Sequence, residues 1–163
     1  MASNFEKVVD FNTQYGVLKS KELIPLPDII KQDPVTVERC LKLIREEMAE
    51  LEKAVKDNDY VEMVDALADI LYVTYGASCR IGIDMDKVFA LVHDNNMSKL
   101  CKTEEEAQRS VDDYEKRKDE TGYTTPAYRK APDDIHWVVY NQSDNKVLKS
   151  IEHKKVDLTG SCK

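Results

Sequence analysis

The sequence predicts an all-α fold, a bundle of four to five helices followed by a small C-terminal β-hairpin. Glycine and proline are scarce, with five of each in 163 residues, so few positions oblige a helix to break. Apolar residues recur at helical spacing through the N-terminal part of the chain. Near the C-terminus, two short runs of β-branched and aromatic residues flank a loop of turn-forming residues, which is typical of a hairpin.

The N-terminal region predicts one short helix and then a loop. Residues 4–15 place their apolar side chains near one helical face, and Gly16 ends that pattern. Two prolines interrupt residues 20–32, so we expect that segment to be irregular.

Two longer helices follow and are expected to pack together. Asp33 is a good N-cap and Pro34 suits the first turn, so helix two should run from about residue 35 to residue 56. After a short polar break, helix three should span residues 60–80 and stop before Gly82. Because the break is short, the two helices should form an antiparallel hairpin.

The last two predicted helices differ in character. Residues 85–99 form an amphipathic fourth helix. Thr103 and Glu106 have the spacing of a capping box, and they open a highly charged fifth helix that ends near residue 119.

The C-terminal region changes to strand-forming sequence. Residues 135–140 and 146–151 are the predicted strands of the hairpin. We therefore divide the chain into a helical domain, residues 1–120, in which we expect the catalytic groups, and an extension with the hairpin, residues 121–163.

Charge and hydropathy exclude some classes of partner. The net charge of −7 argues against a nucleic-acid-binding surface, although a small phosphorylated ligand can be bound through metal ions. No segment approaches the roughly 20 apolar residues that span a bilayer, and the N-terminus has no secretory pattern. We therefore expect a soluble, cytoplasmic protein.

The four cysteines are spaced singly along the chain. No C-x-x-C motif or companion histidine accompanies them, so a zinc site is not expected. Reduced thiols, most of them structural, are the better expectation for the set Cys40, Cys79, Cys101 and Cys162.

Clustered acids on helices two and three are the main functional signal. Three acids fall within roughly 60° of one another on helix three: Glu62, Asp65 and Asp69. Helix two carries a second set: Glu46, Glu47 and Glu50. If the two sets face each other, the carboxylates cannot all stay ionised without a cation, and hard divalent ions such as Mg²⁺, or Mn²⁺ as a substitute, suit oxygen ligands. Metal-assisted hydrolysis of a phosphate compound follows as a hypothesis. Taken alone, the acids of helix two are typical of a solvated face.

Three segments carry a resemblance to a known family: residues 43–51, 65–76 and 82–100. In this order they resemble the all-α nucleoside triphosphate pyrophosphohydrolases, the superfamily of MazG-like enzymes, all-α dUTPases and phosphoribosyl-ATP pyrophosphatase. The resemblance is strongest to MazG-like members, and it covers residues 35–102. The hairpin tail is similar to extensions of relatives encoded by viruses and phages.

The resemblance implies hydrolysis of a nucleoside triphosphate between its α and β phosphates, giving a monophosphate and pyrophosphate with Mg²⁺. Glu47 and Glu50 match the first metal-binding motif, and Glu46 lies beside it. Glu47 or Glu46 would orient or deprotonate the attacking water. Asn96 and Lys99 match residues that meet the phosphates. The superfamily also implies a homodimer or a dimer of dimers.

The sequence departs from the second motif of this family, E-x-x-D. Asp69 matches its aspartate, but Ala66 stands where the glutamate is expected. Glu62 and Asp65 have the right letters and spacing, but lie four residues early. We therefore expect Asp69 to bind metal, with Asp65 before Glu62 as the replacement ligand.

Side chains outside the acid clusters also suit a ligand. Arg39 shares a helix face with Glu46 and Glu50 and could meet a phosphate, but a surface ion pair is the better expectation. Phe11, Gln14 and Trp137 could line a base pocket by stacking or amide hydrogen bonds, but core packing is the better expectation for both aromatic residues.

The expected function is a nucleotide pyrophosphohydrolase, an enzyme acting on phosphoric anhydrides. A house-cleaning role that removes dUTP or a non-canonical nucleotide is the corresponding hypothesis. The alternatives are phosphoribosyl-ATP hydrolysis and a non-enzymatic helical interaction module with exposed acidic faces.

Overall fold

The computed structural model describes residues 1–161 in full and Cys162 by its backbone alone. The described residues form seven α-helices: α1 Asn4–Gln14, α2 Ile29–Gln32, α3 Pro34–Lys56, α4 Tyr60–Arg80, α5 Met85–Met97, α6 Glu104–Lys116 and α7 Lys118–Thr121. They also form three strands and a final 3₁₀ turn: β1 Pro126–Lys130, β2 Trp137–Asn141, β3 Lys146–Val147 and Thr159–Cys162. The mostly helical prediction is confirmed, and helix three has its predicted bounds.

The chain divides into two compact units, which we describe separately. The first unit contains Met1–Phe89 together with the residues from Leu158 onward, and the second contains Ala90–Asp157. The proposed catalytic part, residues 1–120, and the extension, residues 121–163, stay a prediction.

In the first unit, α1 packs on the end of α4. Phe5, Val8 and Val9 form a buried cluster with Cys79. A capping box at Ser3 begins α1, in which Ser3 Oγ accepts from the backbone N–H of Glu6 at 3.0 Å.

The corner between α4 and α5 requires a glycine. Gly82 has a φ of +76°, and a Cβ there would lie 1.8 Å from the carbonyl oxygen of Ile24. The backbone N–H of Leu26 donates to the carbonyl of Ile81 at 3.0 Å. The segment before α2 is therefore held backbone to backbone against this corner.

Helices α3 and α4 form the predicted antiparallel hairpin, with a cap at the start of each. The Asp33 carboxylate accepts from the backbone N–H of Thr36, and the Asp59 carboxylate accepts from two N–H groups of α4. Few side chains of this hairpin are buried: Cys40, Ala54, Ala66, Ser78 and Cys79. By contrast, large apolar side chains remain 42% to 60% exposed along both helices: Leu41, Met48, Val55, Val64, Leu67 and Leu71.

The predicted loop of residues 20–32 is wrong at its end, because Ile29–Gln32 forms a helical turn. Ile29 is buried there, and burial of this apolar side chain favours the turn although Asp28 makes no capping hydrogen bond.

Two predicted helix ends also differ from the structure. Helix α5 ends at Met97 rather than near Lys99, because Lys99 and Leu100 donate to carbonyls three residues back. The fifth predicted helix breaks at Arg117, and α7 then ends at Thr121, with Gly122 as its C-cap at a φ of +74°.

The C-terminal sheet has three strands rather than the two of a simple hairpin. Strand β1 pairs antiparallel with β2, from Pro126 opposite Asn141 to Lys130 opposite Trp137. Strand β3 was predicted to reach residue 151 but ends at Val147. Helix α6 explains the difference, since its side chains Tyr114 and Ser110 accept the backbone N–H groups of residues 149 and 151 that a longer strand would use.

The interior of the second unit joins α6 to this sheet. Cys101, Ala107, Val139 and Leu148 form its apolar core. A buried carboxylate lies beside that core: Glu106 is 6% exposed and accepts from the backbone N–H of Lys102 at 2.9 Å and from Ser150 Oγ.

The three cysteines with described side chains are free and buried, as predicted: Cys40, Cys79 and Cys101. Burial raises the pKa of the Cys79 thiol to about 11, so that thiol is unreactive at neutral pH. The thiol of Cys162 lies outside the described side chains. Within the described part of the chain, no helix combines the length and apolar character that a bilayer crossing demands. The cytoplasmic location stays a prediction.

Candidate functional site

Two acids face the interior of the α3–α4 hairpin. Glu47 is seven residues from both Cys40 and Ala54, so all three lie on one face of α3, and the two flanking side chains are buried. Asp69 follows the buried Ala66 by nearly one turn of α4. Glu47 and Asp69 are partly buried as a result.

The acids of the two helices come together around Glu47. Burial raises the pKa of the Glu47 carboxyl, and the negative charges of four further carboxylates add to that rise in decreasing order: Glu50, Asp69, Glu46 and Asp65. These five residues are the acid cluster. Three members lie on α3 and two on α4, so acids from both predicted sets face each other across the hairpin.

Glu62 belongs to a different neighbourhood. A hydrogen bond and ion pair with Asp57 at 2.9 Å raise the pKa of Lys53, and the charges of Glu62 and Asp59 contribute further. Glu62 is thus near the turn of the hairpin and is not among the acids that act on Glu47.

The donors of the acid cluster suit a hard divalent cation. All five are carboxylates, the ligand type that Mg²⁺ and Mn²⁺ prefer. Within residues 1–161, four of them have no hydrogen bond or ion pair, while Glu46 pairs with Lys42 at 3.5 Å. No three His, Cys, Asp or Glu side chains of the described residues are already arranged around a metal position. Coordination therefore requires these side chains to turn toward a shared ion.

The alanine of the second motif is inside the hairpin. Ala66 is 3% exposed, whereas the adjacent Asp65 is exposed at the rim. Helix α4 therefore contributes two carboxylates to the acid cluster, Asp69 and Asp65, and none from position 66.

The predicted phosphate-binding residues lie in the second unit and contact each other. Lys99 Nζ donates to Asn96 Oδ1 at 2.7 Å, so the pair forms a small polar group at the end of α5. Their contact with phosphates stays a prediction.

Exposed aromatic rings lie one turn beyond Asp69. Phe11 stacks on Tyr15 with ring centroids 4.3 Å apart, and it meets Tyr72 edge-on at 5.5 Å. The expectation of core packing is wrong for Phe11, which is 42% exposed. Trp137 does pack within the second unit, where its ring lies 5.6 Å from that of Tyr128. No sequence pattern marks Tyr15, because it is an isolated tyrosine after a helix.

Residues 25–96 match the family model described as phosphoribosyl-ATP pyrophosphohydrolase. This segment contains α2, α3, α4 and most of α5, and therefore the whole acid cluster. The family of that model is part of the MazG-like pyrophosphohydrolase superfamily, so residues 25–96 are similar to that superfamily and are the MazG-like segment of this chain. The predicted resemblance is confirmed, and the match supports a nucleotide pyrophosphohydrolase activity in general.

A viral protein resembles nearly the whole chain. The chain is 26% identical to uncharacterized protein L479 of Acanthamoeba polyphaga mimivirus, over 91% of this chain and 91% of that protein. The similarity therefore extends past the MazG-like segment into the C-terminal region.

Proposed function

We propose that this protein is a Mg²⁺-dependent nucleoside triphosphate pyrophosphohydrolase that cleaves between the α and β phosphates. The observation that carries the proposal is the gathering of four further carboxylates around Glu47 within the MazG-like segment. Partly buried carboxylates repel one another unless a cation neutralises them. A bound Mg²⁺ would neutralise the phosphate chain and polarise the attacked phosphorus.

The acid cluster supplies two kinds of group to this reaction. Glu50, Asp69 and Asp65 would hold a divalent ion, together with Glu47. Glu47 or Glu46 would orient the attacking water and accept its proton, because Glu47 lies at the centre of the acid cluster and Glu46 is exposed to solvent. The products are a nucleoside monophosphate and pyrophosphate.

Asp65 rather than Glu62 is the proposed replacement for the carboxylate missing at Ala66. Asp65 acts on Glu47, whereas Glu62 acts on Lys53 near the hairpin turn. The positive charge of Lys53 also makes Glu62 the less available ligand.

The substrate is proposed to be dUTP or a non-canonical nucleotide, consistent with a house-cleaning role. The exposed rings of Phe11, Tyr15 and Tyr72 offer a surface on which a base can stack beside the acid cluster. Asn96 and Lys99 are proposed to meet the phosphates. Phosphoribosyl-ATP is the second candidate substrate, because the matching family model carries that name.

A pyrophosphate-release assay tests the activity. We expect pure protein with Mg²⁺ to release pyrophosphate from at least one nucleotide in a panel of dUTP, canonical and modified triphosphates and phosphoribosyl-ATP. Glu50→Gln should lower the rate by roughly a thousandfold, because it removes a proposed metal ligand. Glu52→Gln, on the exposed side of the same helix, is the matched control and should keep the wild-type rate. No pyrophosphate from any member of the panel would favour a non-enzymatic interaction module.

The assembly is proposed to be a homodimer or a dimer of dimers. Leu41, Met48 and Val55 are spaced by seven residues along α3, and Leu67 and Leu71 are one turn apart on α4, so each helix presents an exposed apolar stripe. A second copy of this hairpin offers matching stripes.

Light scattering after size exclusion tests the assembly. The Leu67→Asp, Leu71→Asp double variant should be a monomer, because two buried charges would oppose the interface. A wild-type protein that is already a monomer would contradict the proposal.

A further inference from the structure

Two arginines share the open end of the α3–α4 hairpin, where α3 begins and α4 ends. Burial raises the pKa of the Cys40 thiol, and the positive charges of Arg80 and then Arg39 oppose that rise. Both guanidinium groups therefore act on one buried thiol, from opposite helices.

Neither guanidinium has a partner among residues 1–161. No carboxylate lies within 4 Å of either group, and the buried Nε of Arg80 has no hydrogen-bond acceptor. The surface ion pair expected for Arg39 is therefore not formed. The charge of Arg39 helps to lower the pKa of the Asp33 carboxyl, but Asp33 accepts its hydrogen bond from the backbone N–H of Thr36 at the N-terminus of α3.

The other arginines of the described chain all have partners. Arg45 pairs with Glu38 at 2.7 Å, and Arg129 lies 4.6 Å from the centre of the Tyr140 ring. Ion pairs hold two more: Arg109 and Arg117. Partnerless guanidinium groups are thus confined to this end of the hairpin.

The buried Nε of Arg80 suits an oxyanion, and the exposed guanidinium of Arg39 is available to the same ligand. A buried donor without an acceptor is costly, so a ligand that supplies the acceptor gains that free energy on binding. One carboxylate is satisfied by one guanidinium fork, whereas a phosphate group presents enough oxygens for two.

We propose that Arg80 and Arg39 bind a phosphate group at the open end of the hairpin. Cys40 precedes Glu47 by roughly 10 Å along the helix axis, so this position is separate from the acid cluster but on the same pair of helices. The choice of phosphate over other oxyanions rests on the proposed function, whose substrate and products all carry phosphate.

Titration calorimetry with inorganic pyrophosphate in EDTA tests the arginine site directly. Without divalent ions the acid cluster repels pyrophosphate, so binding reports the guanidinium groups. Arg80→Met should weaken binding by about tenfold to a hundredfold, and Arg80→Lys should restore part of it. Arg39→Met should also weaken binding, and its exposed position leaves folding intact. Arg45→Met is the matched control and should bind as the wild type does.

Titrations with inorganic phosphate and with a non-hydrolysable nucleoside triphosphate then show whether the bound phosphate group belongs to the substrate or to a free product. Tighter binding of the triphosphate indicates the substrate, and equal or weaker binding indicates the free product. Both sources agree with the proposal.

Three results would overturn the arginine site. The first is wild-type affinity for pyrophosphate in both Arg80→Met and Arg39→Met. The second is an equal loss in Arg45→Met, which would indicate unspecific charge attraction. The third is a change of oligomeric state in Arg80→Met without a change in binding, which would assign the guanidinium to a carboxylate of a second copy. The outcome is independent of turnover, because a protein that hydrolyses no nucleotide can still lose pyrophosphate binding in Arg80→Met.

Discussion

Two inward-facing glutamates, one in each unit, have opposite surroundings. Glu106 accepts hydrogen bonds from the backbone of Lys102 and from Ser150, and no further partner is needed to keep its carboxylate in the interior of the second unit. Glu47 accepts none from residues 1–161, and four like charges surround it. A carboxylate of the first kind stabilises a fold, whereas one of the second kind costs stability until a cation arrives. On this contrast, Glu106 is a structural acid and Glu47 is the proposed functional one.

The largest expected effect comes from neutralising each glutamate in turn. Glu47→Gln should lower turnover by roughly a thousandfold while leaving the melting temperature unchanged or higher, because it removes a repelled charge. Glu106→Ala should do the reverse, lowering the free energy of unfolding by about 1–3 kcal/mol because the Ser150 hydroxyl and the Lys102 N–H lose their partner. Thermal melts and the pyrophosphate assay on both variants measure whether one substitution lowers turnover and the other lowers stability. Equal loss of stability in both variants would remove the distinction.

The next effect is on Mg²⁺ affinity, and it tests whether Asp65 or Glu62 replaces the carboxylate missing at Ala66. Asp65→Asn should weaken Mg²⁺ binding by more than the roughly tenfold to hundredfold typical of outer-sphere changes, because it removes a proposed direct ligand. Glu62→Gln, three residues earlier on the same helix, should leave Mg²⁺ affinity within about twofold, as expected for an exposed acid near a lysine. The rise in melting temperature with Mg²⁺ concentration measures both affinities. The opposite ranking would assign the replacement ligand to Glu62.

The smallest effect is a pH dependence of the metal-free protein. The pKa of Glu47 is raised above its ordinary value of 4.5, so the folded state binds its proton more tightly than the unfolded state does. The stability from this group is present below that ordinary value and is lost as pH rises through the higher folded pKa. In EDTA, the melting temperature of the wild type should therefore fall relative to Glu47→Gln as pH rises from about 4.5 to 7. A constant difference between the two proteins over this range would contradict the assigned direction.

Local patterns in the sequence predicted the longer helices and, apart from Glu62, the acids that gather around Glu47. Caps such as Asp33 and the spacing of Glu47, Glu50 and Asp69 are local features, and one short turn suffices to bring the two helices face to face. The unpartnered state of Arg80 was not predictable in this way, because it depends on which acceptors lie nearby after folding. Strand β3 was overestimated for a similar reason, since side chains of α6 compete for the same backbone N–H groups.

The Gly82 corner determines where this chain tolerates sequence change. A side chain at position 82 would collide with the backbone carbonyl oxygen of Ile24, and every residue type has that oxygen. Ile24 itself is 67% exposed, so its side chain is not required for packing. In a saturation library, position 24 should therefore accept most amino acids, and position 82 should accept glycine alone. Two residues that touch can thus differ completely in mutational tolerance, because one contributes its backbone and the other its lack of a side chain.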